Sequence, residues 1–213
     1  MLTVQFFTFS PIQENTYVIY NEHKECIIFD PGCYYDHEKE TLADFISGNG
    51  LRPVQLVNTH CHLDHIFGNH FVCERYGLMP FFHPNEEEMF KLAPSSGLMY
   101  GLPFDMYSGP VIHLVQGEQI KLGDDHLDIL FTPGHSPGSL SFYSATNRFV
   151  ISGDVLFSGS IGRTDLPGGN YNQLIESIQT QLLTLPDETM VYSGHGPATT
   201  IGEEKKSNPF LTD

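Results

Sequence analysis

The stretch VNTHCHLDHIFGN, Val57 to Asn69, sets His60, His62, Asp64 and His65 within six consecutive positions. The preceding PVQLV predicts a strand that delivers this cluster at its end. In an extended segment residues two apart face the same way, so His60 and His62 can approach one ion together. The turn that follows re-aims Asp64 and His65 toward a second. An isolated His-x-His pair is as well explained by a surface or core role. An aspartate and a third histidine in the same turn argue for metal.

Working outward, three more segments end an apolar run with a metal-competent side chain: His135 in FTPGHSPGSL, Asp154 in VISGDVLF and His195 in VYSGHGP. Each sits next to glycine, which lets backbone approach a crowded site. Singly, each reads as a turn residue or a loop cap. Together with the first cluster they supply five histidines and two carboxylates, enough for two metals sharing a bridging carboxylate. Imidazole and carboxylate donors suit zinc first, and also iron or manganese.

The rest of the chain alternates strands and helices. Leu2–Phe9, Tyr17–Tyr20 and Cys26–Phe29 predict an antiparallel meander closed by the turn signal DPG. DHEKETLADFISGNG predicts a helix, as do Ile66–Tyr76 and PNEEEMFKL, with MPFFH a short strand between the last two. Residues 93–110 read as an irregular loop, either a lid or a surface excursion. Strands are expected near 111–115, 126–131, 140–144 and 148–151, followed by a glycine-rich loop from Gly153 to Gly169. A helix then carries Tyr171, Leu174, Ile175, Ile178 and Leu182 on one face, and a last strand lies near Met190–Tyr192. No internal repeat or linker divides the chain, so one domain spanning 1–213 is expected, an α/β protein with sheets covered by helices.

Acidic residues outnumber basic ones 26 to 10, for a net charge of −16 with neutral histidines. That field disfavours nucleic acid and anionic lipid surfaces. It leaves room for small anionic substrates where bound cations reverse the potential locally. No run approaches the ~20 apolar residues of a membrane span, and the N-terminus lacks the features of a secretory signal. A cytoplasmic protein with no membrane partner is expected. Cys26, Cys33, Cys61 and Cys73 fit neither a disulfide framework nor a metal clip and are read as free thiols.

HCHLDH, PGHSPGS, SGDVLF and GHGP, in this order, resemble the motif set of the metallo-β-lactamase superfamily across nearly the whole chain. The resemblance implies a four-layer αββα sandwich with metals at one edge of the paired sheets. It implies that His60, His62 and His135 hold one metal, that Asp64, His65 and His195 hold the other, and that Asp154 bridges them. The remaining six histidines match no motif position. Two metals about 3.5–4 Å apart lower the pKa of a shared water toward about 7. Catalysis would then rest on Asp64 and the metal-bridging hydroxide.

Within the superfamily, SGDVLFSGSIGRTDLPGGN and GHGPATTIGEEKKSNPF resemble the short glyoxalase II-like branch, related to hydroxyacylglutathione hydrolases. The implied substrate is a small-molecule thioester such as S-lactoylglutathione. A thiolate leaving group with a free pKa near about 8.5 needs no dedicated proton donor. Full-length glyoxalase II enzymes add a C-terminal helical region that binds glutathione, whereas little follows Thr200 here, and Gly196 stands where the family has a tyrosine. Arg163 lies where the longer enzymes carry a basic substrate contact, and an ion pair with Asp165 is its alternative reading. Lys205 and Lys206 read as solvated tail charges. Persulfide dioxygenases resemble the same scaffold and share the Gly-Arg-Thr-Asp stretch; by that resemblance one iron would sit on His60, His135 and Asp154. Lactonases and phosphodiesterases share the motif. True β-lactamases generally lack the bridging aspartate that Asp154 supplies.

Overall fold

The computed structural model describes residues 1–212. The first sheet contains β1 (Thr3–Phe9), β2 (Glu14–Tyr20), β3 (Glu25–Phe29), β4 (Arg52–Val57), β5 (Pro80–Phe82) and β6 (Ile112–His113), in that spatial order. β1 to β3 form the expected antiparallel meander, and β3 to β6 run parallel. The second sheet begins with β7 (Gln119–Leu122), β8 (Asp125–Phe131), β9 (Leu140–Ser144) and β10 (Phe149–Gly153). A small hairpin, β11 (Leu156–Phe157) and β12 (Ser160–Ile161), follows β10, and β13 (Met190–Ser193) and β14 (Thr199–Thr200) complete the sheet in the order β14-β13-β10-β9-β8-β7.

Strand alternation places the core on both faces of each sheet. In β2, Tyr17 and Ile19 join the cluster between the sheets, while Val18 faces helices α1 (Asp36–Gly48) and α3 (Asn69–Tyr76). In β10, Phe149 and Ile151 point to the inter-sheet core, and Val150 packs on α5 (Tyr171–Ser177) and α6 (Ile201–Ser207). The layers are therefore helix, sheet, sheet, helix, as the motif resemblance implied. Phe29 and Phe142 meet edge to face at 5.0 Å across the sandwich, both fully buried.

Several elements depart from the sequence expectations. The helix predicted over Ile66–Tyr76 is two pieces, α2 (Leu63–Ile66) and α3, broken at Gly68, which lies against Cys33 and the Pro31 carbonyl. Residues 93–99 are not loop: α4 (Glu87–Met99) continues through Pro94, because Phe90, Ala93 and Gly97 stay on its buried face. The remainder, from Tyr100, is anchored by Tyr34 Oη donating to the Pro103 carbonyl at 3.0 Å and by the His70–Asp105 pair at 2.7 Å. Tyr171 is exposed, so only Leu174, Ile178 and Leu182 of its expected face are fully buried; Ile178–Leu182 is a π-helical turn.

The C-terminal segment is a packed element rather than a tail. Ile201 and Glu204 are buried, and Glu204 accepts from Gly159 N at 2.9 Å, Thr199 Oγ1 at 2.6 Å and Asn208 Nδ2 at 2.7 Å. Lys205 pairs with Asp187 at 2.6 Å. Among the described residues no helix is long and apolar enough to cross a membrane.

Because Phe142 fills the space between the sheets with no exposed surface, Phe142→Ala is expected to lower stability by about 3–5 kcal/mol. Urea unfolding of the two proteins, compared by midpoint at equal slope, checks this.

Candidate metal centre

All seven sequence-predicted donors meet at one edge of the sandwich, where the strands of both sheets end. β4 delivers Asn58 to His62, α2 carries Asp64 and His65, the β8–β9 loop carries His135, and the segments after β10 and β13 carry Asp154 and His195. Glycine is needed where these loops converge. A Cβ at Gly194 would overlap the Asp154 carboxylate, and Gly153, at φ +53°, lies against Thr59.

Two triads result. His60 Nε2 and His135 Nε2 stand 3.2 Å apart, and His62 Nδ1 is 2.8 Å from His135 Nε2. Beside them, Asp64 Oδ2 is 3.2 Å from His195 Nε2 and 3.7 Å from His65 Nε2. Asp154 lies between: its Oδ2 is 3.6 Å from His135 Nε2 and 3.6 Å from His195 Nε2, and its Oδ1 is 3.4 Å from His65 Nε2.

The far side of each ring determines which nitrogen is free. His135 Nδ1 faces the Arg163 carbonyl at 2.8 Å, and His195 Nδ1 faces the Gln13 carbonyl at 3.1 Å. Carbonyl oxygens only accept, so both Nδ1 atoms carry a proton. His65 Nδ1 donates to Asp30 Oδ2 at 3.0 Å. The Thr59 hydroxyl donates to Asp30 Oδ2 at 2.6 Å and therefore accepts from His60 Nδ1 at 3.0 Å. In their neutral forms all four rings thus aim an Nε2 lone pair at the centre, the orientation that outer hydrogen bonds impose on metal-binding histidines.

Such an arrangement fits a cation. In the first triad the Nε2 lone pairs of His60 and His135 are held 3.2 Å apart, near the about 3.3 Å between neighbouring ligands of a tetrahedral ion with bonds of about 2.0–2.1 Å, and His62 Nδ1 lies 2.8 Å from the same His135 nitrogen. His65 Nε2 and Asp154 Oδ1 are buried without a hydrogen-bond partner, a costly state in the absence of a ligand. Hard and borderline N and O donors, with no thiolate among them, suit zinc, iron or manganese alike.

Charge separates the two triads. Burial, reinforced by the neighbouring imidazoles, pushes His60 well below the usual histidine range, and burial with His135 beside it pushes His62 down to about 3. Burial also lowers His135. In the second triad burial is overcome by the carboxylates: Asp154, Asp64 and Asp30 raise His65, and Asp64 and Asp154 raise His195. Asp64 and Asp154 are held low against burial, chiefly by His65.

Arg163 reaches the centre through its main chain. Its carbonyl orients His135, while its exposed guanidinium pairs with both carboxylate oxygens of Asp165 at 2.7 Å. Sequence reading missed Asp30 and Thr59. The available signal for Asp30 was positional: like Asp154, it ends an apolar strand. A surface cavity of about 760 Å³ beneath α1 and α3, lined by Tyr34, Phe71 and Phe104 among others, holds none of the seven donors. Chemistry, not cavity size, identifies the site.

Comparison with known proteins agrees with this reading of the fold. A family model described as the metallo-beta-lactamase superfamily matches residues 10–195. Among curated proteins, the probable metallo-hydrolase YqgX of Bacillus subtilis is 44% identical, over 94% of this chain and 93% of that protein. Hydroxyacylglutathione hydrolase GloC of Haemophilus influenzae is 37% identical, over 99% and 98%. Similar solved structures include the BLEG-1 B3 metallo-beta-lactamase (TM-score 0.90, 40% identity, 99% of this chain and 100% of that one). TTHA1623 in a di-iron-bound form follows (0.88, 37%, 98% and 100%), with ETHE1 from Myxococcus xanthus (0.79, 27%, 97% and 83%).

All four cysteines are unpaired and buried, Cys61 between two of the donors. Burial pushes Cys26, Cys33 and Cys73 up to about 12 and Cys61 well above its usual value. The native protein is expected to give no rapid reaction with a disulfide reagent such as DTNB, and to release four equivalents only after unfolding.

Proposed function

This chain belongs to the metallo-beta-lactamase superfamily, and we propose that it is a two-metal hydrolase of small thioesters, S-lactoylglutathione being the model substrate. The observation that carries this reading is the pair of donor triads joined at Asp154 Oδ2, which is equally distant from His135 of one and His195 of the other. The 37% identity to a hydroxyacylglutathione hydrolase over nearly the full length of both chains supports the thioester class.

In this reading His60, His62 and His135 would hold one metal and Asp64, His65 and His195 the other, with the Asp154 carboxylate available to both. Bound there, the metals supply Lewis acidity and a water acidified toward a pKa of about 7. The chain's own groups do the rest. The His195 side chain is 26% exposed against 0% for His65 and 3% for His135, and His62 is also partly exposed, so substrate approaches past these two rings. Asp64, 3.2 Å from His195, orients the attacking water. Asp30 and the Arg163 and Gln13 carbonyls keep the imidazoles from turning away. A departing thiolate, with a free pKa near about 8.5, leaves without a proton donor. The locally cationic centre offsets the acidic surface for an anionic substrate.

Arg163 is the proposed substrate contact. One carbonyl away from His135, its guanidinium is free to exchange Asp165 for a substrate carboxylate. Arg163→Ala is expected to raise KM while leaving kcat nearly unchanged, read from steady-state thioester hydrolysis.

A second reading, a one-iron persulfide dioxygenase, is favoured by His60, His135 and Asp154 standing together as two histidines and a carboxylate, and by the likeness to ETHE1. Metal content of protein purified without added metal, measured with thiol release from S-lactoylglutathione, separates the two. About two metals per chain with thiol release supports the hydrolase; one iron with oxygen uptake on glutathione persulfide supports the alternative. A β-lactam measured in parallel tests the activity named for BLEG-1, and faster turnover of it than of the thioester would refute the thioester assignment. Asp64→Ala is expected to lower kcat by at least about 100-fold.

A further inference from the structure

Behind the first triad lies a carboxylate that none of the motifs includes. Glu86, fully buried, ends the short turn Pro84–Glu86 that leads into α4. Its Oε2 accepts from Cys61 N at 2.8 Å, and its Oε1 accepts from both Ser136 Oγ and Gly138 N at 2.6 Å. Cys61 is the residue between His60 and His62, and Ser136 follows His135. One side chain therefore grips both loops that carry the first three donors, at the main chain of Cys61 between His60 and His62, and at the Ser136 hydroxyl beside His135 and the main chain of Gly138.

The contact is closely fitted. A Cβ at Gly138 would lie 2.8 Å from Glu86 Cγ and 3.0 Å from Glu86 N, so the glycine permits the approach. The two backbone partners can only donate, and an ionised carboxylate only accepts. Glutamine has the same shape, but its NH2 would face an N–H on whichever side it lay. Shortening to aspartate would abandon one loop.

We propose that Glu86 is a positioning residue that sets the spacing of His60, His62 and His135, and thereby the affinity of the first triad for its metal. This rests on the reading of that triad as a metal site. Without the clasp, the two loops keep the Leu140 N to Thr59 carbonyl hydrogen bond at 2.9 Å and the contacts of the donor rings themselves, but no carboxylate fixes Cys61 N against Ser136 and Gly138, and cation binding would first have to order them. Fold stabilisation alone predicts something different: a loss spread over the whole molecule and shared by both triads.

The test is a Co²⁺ titration of the full chain stripped of metal. Visible absorption and chelator competition resolve the two binding steps, and thermal unfolding of the metal-free proteins runs alongside. Wild type is compared with Glu86→Gln, Ser136→Ala, and His135→Ala, the last identifying which step belongs to the first triad. Glu86→Gln is expected to weaken that step by about 10–100-fold and to alter its absorption band, leaving the other step unchanged. Ser136→Ala removes one of the three donors and is expected to weaken the same step by a smaller factor; it carries the test if Glu86→Gln fails to fold. Equal weakening of both steps, or none in either variant, would overturn the proposal. Wild type taking up no Co²⁺ would instead overturn the metal reading itself, and the proposal with it.

Discussion

Asp30 is where the two halves of the centre are tied to the scaffold. It directly follows β3, is 2% exposed, and accepts from Thr59 N at 2.7 Å, Thr59 Oγ1 at 2.6 Å and His65 Nδ1 at 3.0 Å. Through Thr59 it sets the tautomer of His60 in one triad; through its own Oδ2 it sets that of His65 in the other. A buried carboxylate costs several kcal/mol unless it is well satisfied, and here satisfying it orients the donors. The backbone bears its share, since Asp30 adopts φ +46°, an uncommon conformation for a non-glycine residue.

The same logic recurs around the centre. Glu86 joins the loops of the first triad, the Arg163 carbonyl fixes His135, and the Gln13 carbonyl fixes His195. The last of these spans the sandwich. The β1–β2 turn belongs to the first sheet and His195 to the second, and Asn15 Nδ2 reinforces the junction by donating to the Ser193 and Gly196 carbonyls at 3.1 and 2.9 Å. The donor spacing thus depends on how the two sheets pack, and the Phe29–Phe142 contact behind the site bears on the chemistry as well as on stability.

Superfamily membership and the donor set establish a metal-dependent class of chemistry, while substrate choice lies in what surrounds the centre. The chain as a whole carries 10 basic against 26 acidic residues. Arg163, whose carbonyl orients His135, is paired with Asp165, and Lys205 is engaged with Asp187. Recognition of an anionic substrate would therefore depend more on the centre itself than on a ring of basic side chains.

What the sequence by itself determined was whatever short-range chemistry carries. The seven candidate donors were legible because each lies in a short motif at the end of an apolar run, and the resemblance carried by those motifs implied the layer order that the two buried faces of each sheet display. Composition misled where packing overrode propensity: APSSGLM reads as loop but continues α4, because Ala93 and Gly97 keep to its buried face. The segment after Thr200 reads as tail but is bound through Glu204 to residues up to 45 positions away. Only the tertiary structure decided which groups stand behind the donors. Glu86 meets partners 25 and 50 positions distant, and Asp30 meets His65 across 35. Hydrogen bonds at such separations leave no periodicity or spacing in the chain, since they depend on where the sheets bring their strand ends together.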